Sequence, residues 1–159
     1  MRNILVFLIA LLTAFDAYSN DSSLVIYRIR LDQDIDKSSQ RLVTLGLEKA
    51  TEASADYVLL DIDTYGGAVD AADSIRSAIL RHDTPVIAYV NMQAASAGAL
   101  ISIACDSIYM KTGSSIGAAT VVDQAGNVMP DKYQSFMRGM MRSTAQATGR
   151  DPKIAESMT

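Results

Sequence analysis

Tyr57-Val58-Leu59-Leu60-Asp61-Ile62-Asp63-Thr64-Tyr65-Gly66-Gly67-Ala68 decides the fold. The run Tyr57 to Ile62 is apolar enough for a parallel strand buried on both faces. Gly66 and Gly67 permit backbone conformations that other residues resist. Beyond them Ala68, Ala71, Ala72, Ile75 and Ile79 recur at helical spacing, which predicts a helix over Ala68 to Leu80. A buried strand, a glycine turn and a helix, in that order, are most of a βαβ unit.

The same grammar continues on both sides. Leu24 to Leu31 reads as a strand, and Asp32 to Asp36 as an acidic turn. Ser38 to Ala55 carries Leu42, Leu45 and Lys49 with Glu48 and Glu52, an amphipathic helical pattern. Pro85 to Val90 is a second buried strand, with Asn91 to Ser96 as the turn after it. Ala95 to Cys105 is apolar nearly all round, so this helix should be internal. Ser107 to Met110 predicts a short strand and Thr112-Gly113-Ser114 a turn; Val121 to Met129 reads as a loop turning at Gly126-Asn127. Lys132 to Thr148 predicts a helix stopped by Gly149, and Asp151-Pro152 opens a last one. Repeated βαβ units imply an α/β fold with a mainly parallel sheet flanked by helices.

The 159 residues suffice for one domain of ordinary size. The net charge of −4, with no basic cluster, argues against a nucleic-acid surface, and the absence of Trp argues against base-stacking platforms. One cysteine, Cys105, excludes an intramolecular disulfide and a cysteine-rich metal site; it reads as a small core residue. No metal site and no cofactor is expected. Near the N-terminus, Arg2 precedes an apolar run from Ile4 to Ala14, and Ala17-Tyr18-Ser19 places small residues at a possible cut after Ser19. Eleven residues are too few for a spanning helix, which needs roughly 20. Residues 1–19 are therefore expected to be a signal peptide, or else a membrane anchor, with 20–159 as the folded domain facing a space outside the cytoplasm. Helical sequence at Met158-Thr159 suggests a domain that continues further.

Two turns carry the chemistry. Ligands of parallel α/β sheets collect outside the carboxyl ends of the strands, where both Asp63 to Gly67 and Asn91 to Ser96 are expected. A helix starts at each turn, so both expose unpaired N–H groups and positive dipole ends. Ser96 lies in Gln93-Ala94-Ala95-Ser96-Ala97-Gly98-Ala99, a serine without bulk around it. A hydroxyl beside bare N–H donors suits acyl transfer. The single histidine, His82, is expected at the opposite edge of the sheet, so a Ser-His-Asp triad is disfavoured. A lysine serves as base if burial lowers its pKa from about 10.4 toward 7–8. Lys111 ends a strand, Lys153 sits beside Glu156 in the last helix, and Lys132 opens a helix after a loop able to fold over the strand ends. That position ranks Lys132 first and leaves the other two open.

Four ordered motifs carry a resemblance: Asp61-Ile62-Asp63-Thr64-Tyr65-Gly66-Gly67-Ala68-Val69-Asp70, Thr84-Pro85-Val86-Ile87-Ala88-Tyr89-Val90, Ala94-Ala95-Ser96-Ala97-Gly98, and Gly113-Ser114-Ser115-Ile116-Gly117-Ala118-Ala119. From about Leu24 onward the chain resembles the membrane-bound serine protease domain of the NfeD family, within the ClpP/crotonase-like superfamily. The resemblance implies a Ser-Lys dyad of Ser96 and Lys132. It implies an oxyanion hole of the Gly67 and Ala97 N–H groups, supported by Gly66. It also implies a homo-oligomer, dimer or larger, and apolar peptide segments as substrate, including those of a stomatin-like membrane partner. Tyr65 departs from the proline usual before the glycine pair, and the stretch from Ala119 to Lys132 is short for the family. Two other readings stand beside the endopeptidase: a non-catalytic scaffold for a stomatin-like protein, and a crotonase-type acyl-thioester enzyme.

Overall fold

A computed structural model describes residues 23–159; the expected signal peptide or anchor at 1–19 lies outside the described residues. The strands are β1 (Ile26–Leu31), β2 (Tyr57–Thr64), β3 (Val86–Ala95), β4 (Ser107–Met110) and β5 (Ser115–Gly117). The helices are α1 (Lys37–Glu52), α2 (Val69–Ile79), α3 (Ala97–Ala104), α4 (Asp131–Ala147) and α5 (Pro152–Glu156). The sheet order is β1-β2-β3-β4, with β5 also on β3, and every pairing is parallel. Ile29, Leu31, Val58, Leu60, Ile62, Val86, Ala88 and Val90 all point to one buried face. In register on the other face, Arg30, Asp61, Tyr89 and Tyr109 form a polar-aromatic row, with Arg28 paired to Asp61.

Three departures from the sequence reading bear on the site. First, β3 does not end at Val90; it runs through Asn91 to Ala95, directly into Ser96. Pairing sustains it: Thr64 of β2 is in register with Ala94, and β5 lies along Gln93–Ala95 on the other side. Second, β5 itself was not expected, because three residues after a turn carry too little pattern to read. Third, α1 buries Ser39, Val43, Leu47 and Ala50, whereas Leu42 and Leu45 are exposed. The capping box fixes that rotation: Asp36 Oδ1 accepts from the Ser38 and Ser39 amides at 2.8 and 2.9 Å, while Ser39 Oγ accepts from the Asp36 amide.

Helix α3 is internal as expected, with every residue from Ala97 to Ala104 buried. Its last carbonyls still need donors. Arg150 supplies them, donating to the Cys105 carbonyl at 2.8 Å and to those of Ile103 and Asp106. Cys105 is fully buried, and burial pushes its thiol up to about 12. Only the thiolate is nucleophilic. Native protein at pH 8 should therefore leave Cys105 unmodified by iodoacetamide while unfolded protein takes up one label; equal labelling of both, read by intact mass, contradicts the burial.

Candidate active site

The register Thr64↔Ala94 leads, two residues further along each strand, to Gly66 beside Ser96. The contact is close enough to require glycine. A Cβ on Gly66 would lie 2.6 Å from Ser96 Cβ and 3.1 Å from Ser96 Oγ, and Gly66 has a φ of 112°. Gly67, at φ 150°, backs onto the loop before α1, where a Cβ would fall 2.2 Å from the Ile35 carbonyl oxygen. That loop clamps the turn through two backbone bonds: Ile35 N–H to Gly66 C=O at 2.8 Å, and Ala68 N–H to Ile35 C=O at 2.7 Å.

The clamp aims an amide. In a planar trans peptide the C=O and N–H point in opposite directions. Because the Gly66 carbonyl points at Ile35, the Gly67 N–H points away from it, and Gly67 lines the cleft that holds Ser96. Ala97 opens α3, so its N–H is one of the unpaired donors of a helix N-terminus. Neither amide donates to another group among the described residues.

Ser96 turns sharply between β3 and α3 at φ 53°, ψ −115°. A non-glycine residue there costs on the order of 1–3 kcal/mol, and such strain clusters at functional sites. Ala118, which lines the same cleft, also has φ 53°. The Ser96 amide donates to the Gly117 carbonyl at 2.8 Å, so β5 holds the elbow from the far side. The hydroxyl is thus presented from a strand-to-helix corner, the geometry of a nucleophile elbow.

The cleft encloses about 770 Å³ and is lined by Tyr65, Gly67, Ala68, Ser96, Ala118, Thr120, Val122, Asp123 and Gln124. The loop before α4 does fold over the strand ends. Gln134, buried on α4, pins it, accepting from the Val121 amide at 2.9 Å and donating to the Val121 and Met129 carbonyls. Asp123 organises its tip: the Asn127 side chain and the Ala125 and Asn127 amides donate to it, and the Asn127 side chain foremost holds its carboxyl below the usual range. An anion therefore sits at the rim at neutral pH.

The structure brings Ser96, Gly66, Gly67 and Ala97 together. Lys132 is not in that cleft. It lines the neighbouring groove with Val69, Asp70, Asp73, Val121, Tyr133 and Phe136, its Nζ 4.9 Å from the Tyr133 ring centroid. The two are lined by adjacent residues: Val69 and Val121 line the groove, Ala68 and Val122 the cleft. Lys111 Nζ donates instead to Asn91 Oδ1 at 3.3 Å, and neither Lys111 nor Lys153 lines the cleft. His82 precedes β3 whereas Ser96 follows it. The ten residues of that strand span about 30 Å, which removes the triad.

The family model for the NfeD1b N-terminal domain matches residues 25–159. The chain belongs to the NfeD family. It is similar to the membrane protein NfeD1b of Bacillus subtilis, 38% identical over 133 residues that cover 84% of this chain and 30% of the relative. It is also similar to the membrane-bound protease PH1510 of Pyrococcus horikoshii, 35% identical over 67% of this chain and 26% of the relative. The chain thus spans less than a third of the length of these curated relatives. Among solved structures it matches a lysine-to-alanine mutant of the 1510-N membrane-bound stomatin-specific protease, in complex with a substrate peptide, at a TM-score of 0.80 and 28% identity, covering 86% of this chain and 66% of that one. ClpP1 from Listeria monocytogenes, 19% identical, matches at a TM-score of 0.63 over 84% of this chain and 78% of its own, and shows the fold alone. The NfeD-family domain therefore has a ClpP-like α/β fold, with relatives named as membrane-bound proteases. Among the described residues no helix is long and apolar enough to cross a membrane.

Thr64, Gly117 and Gln134 escaped the sequence reading as parts of the site. Thr64 and Gly117 fall inside the quoted motifs, but their contribution is a bond made across the fold. Gln134 left a faint signal, a polar residue on the buried side of an amphipathic helix.

Proposed function

We propose that this domain is a serine endopeptidase with a Ser-Lys dyad, cutting apolar segments of membrane-associated proteins, a stomatin-like partner among them. The observation that carries the reading is Ser96 at a strained elbow between two unpaired amides. Ser96 Oγ attacks the scissile carbonyl, and its proton passes to Lys132 Nζ. The Gly67 and Ala97 N–H groups hold the oxyanion; removing one such donor typically costs about 10²–10³ in rate. As the tetrahedral intermediate collapses, Lys132 returns the proton to the leaving amine. A water then releases the acyl group from Ser96, again with Lys132 as base. To do this Lys132 swings its flexible stem off the Tyr133 ring and across the Val121 wall. The protease names of relatives and the apolar side chains of the neighbouring groove, Val69, Val121, Tyr133 and Phe136, support the substrate class. The domain would act outside the cytoplasm as a dimer or larger assembly.

The position of Lys132 over Tyr133 favours one rival, a scaffold that binds a stomatin-like protein without cutting it. A fluorophosphonate probe separates the two. The endopeptidase gives a mass adduct on Ser96 and cleaves a peptide of apolar residues. Lys132→Ala should slow both at least a hundredfold, and Lys132→Arg should not restore them, because a guanidinium stays protonated. A wild type that binds the peptide without adduct or cleavage is the scaffold.

A further inference from the structure

Thr64 ends β2 with only 3% of its surface exposed, three residues before the Gly67 amide that the proposed chemistry uses. Its side chain touches three elements at once. The hydroxyl donates to the Gln33 carbonyl at 2.7 Å, in the loop between β1 and α1. The same oxygen accepts from the Gly66 amide at 3.2 Å. The methyl faces Gly98 in the first turn of α3, so closely that a Cβ on Gly98 would lie 2.7 Å from it.

These contacts complement the Ile35 clamp. Ile35 fixes the Gly66 carbonyl and the Ala68 amide; Thr64 fixes the Gly66 amide. The peptides on both sides of Gly66 are then held, and the Gly67 N–H is left with one direction. The methyl sets the spacing to α3, whose first amide is the other donor. A glycine pair without such a hold samples many conformations, and a preorganised donor is worth more than one that must be ordered during reaction.

We propose that Thr64 is a positioning residue of the oxyanion hole, its hydroxyl aiming the Gly67 amide and its methyl spacing that amide from Ala97. This rests on the endopeptidase reading. The test compares Thr64→Val, which keeps the shape and loses the hydroxyl, with Thr64→Ser, which keeps the hydroxyl. Amide hydrogen exchange over residues 65–68 and steady-state cleavage of the apolar peptide are both measured. Thr64→Val should raise exchange at the Gly66 amide at least tenfold and lower kcat about tenfold or more with KM little changed. Thr64→Ser should restore kcat to within about threefold of wild type. Unchanged exchange in Thr64→Val overturns the proposal, as does raised exchange with unchanged kcat. Equal loss of kcat in both variants overturns the hydroxyl's role. An inert wild type instead defeats the endopeptidase reading, and the exchange result then decides by itself whether Thr64 holds the turn.

Discussion

Ser96→Ala should abolish cleavage of an apolar peptide, a fall in kcat on the order of 10⁴–10⁶, and should leave the melting temperature close to wild type. The rate falls because Ser96 supplies the oxygen presented at the strand-to-helix elbow, and alanine there has none. Stability holds because alanine inherits the same strained backbone at φ 53°, ψ −115°. Ser96→Gly tests the strain itself. Glycine enters this region freely, which relieves on the order of 1–3 kcal/mol, less about 0.5–1 kcal/mol for its extra freedom in the unfolded chain. Ser96→Gly should therefore be as inactive as Ser96→Ala and melt a few degrees higher. Cleavage by Ser96→Ala at the wild-type rate ends the nucleophile assignment. A lower melting temperature in Ser96→Gly means that the elbow is not strained.

What could be read from the sequence was what local pattern encodes. Tyr57 to Gly67 announces a strand and a turn because apolar runs and glycine pairs act within a few residues. The placement of Gly66 beside Ser96 followed once two parallel strands end at one edge. The strand from Asn91 to Ala95 was hidden because its partners are the end of β2, past a register shift, and β5, which lies beyond an intervening helix, strand and turn. Thr64 and Gly117 were hidden for a related reason: their bonds to Gln33, Gly66 and Ser96 depend on register. Lys132 shows the limit differently. Its place in the chain, at the start of α4, was legible; the groove its amine occupies depends on Tyr133 and on the loop pinned by Gln134.

Gly67→Ala should be the most damaging single change to the turn, in both stability and rate. Two causes add. At φ 150° an L side chain is strained, on the order of 1–3 kcal/mol. The new methyl would also stand 2.2, 2.7 and 2.9 Å from the oxygen, nitrogen and carbonyl carbon of Ile35. Those are backbone atoms, so no rotamer change gives way. The loop before α1 must move off, breaking the Ile35 to Gly66 and Ala68 to Ile35 bonds at about 1 kcal/mol each. A total of about 3–5 kcal/mol is a large share of the 5–15 kcal/mol of an ordinary domain. Gly66→Ala makes the informative contrast. It carries the same kind of strain at φ 112°, but its methyl would meet the Ser96 side chain, and secondarily the Ala95 carbonyl at 3.1 Å, so it should displace the nucleophile and cost less stability than Gly67→Ala. Denaturant melts and peptide cleavage on the two variants separate the effects. A Gly67→Ala protein with wild-type stability would mean that Ile35 does not clamp the turn, and the direction assigned to the Gly67 amide would fall with it.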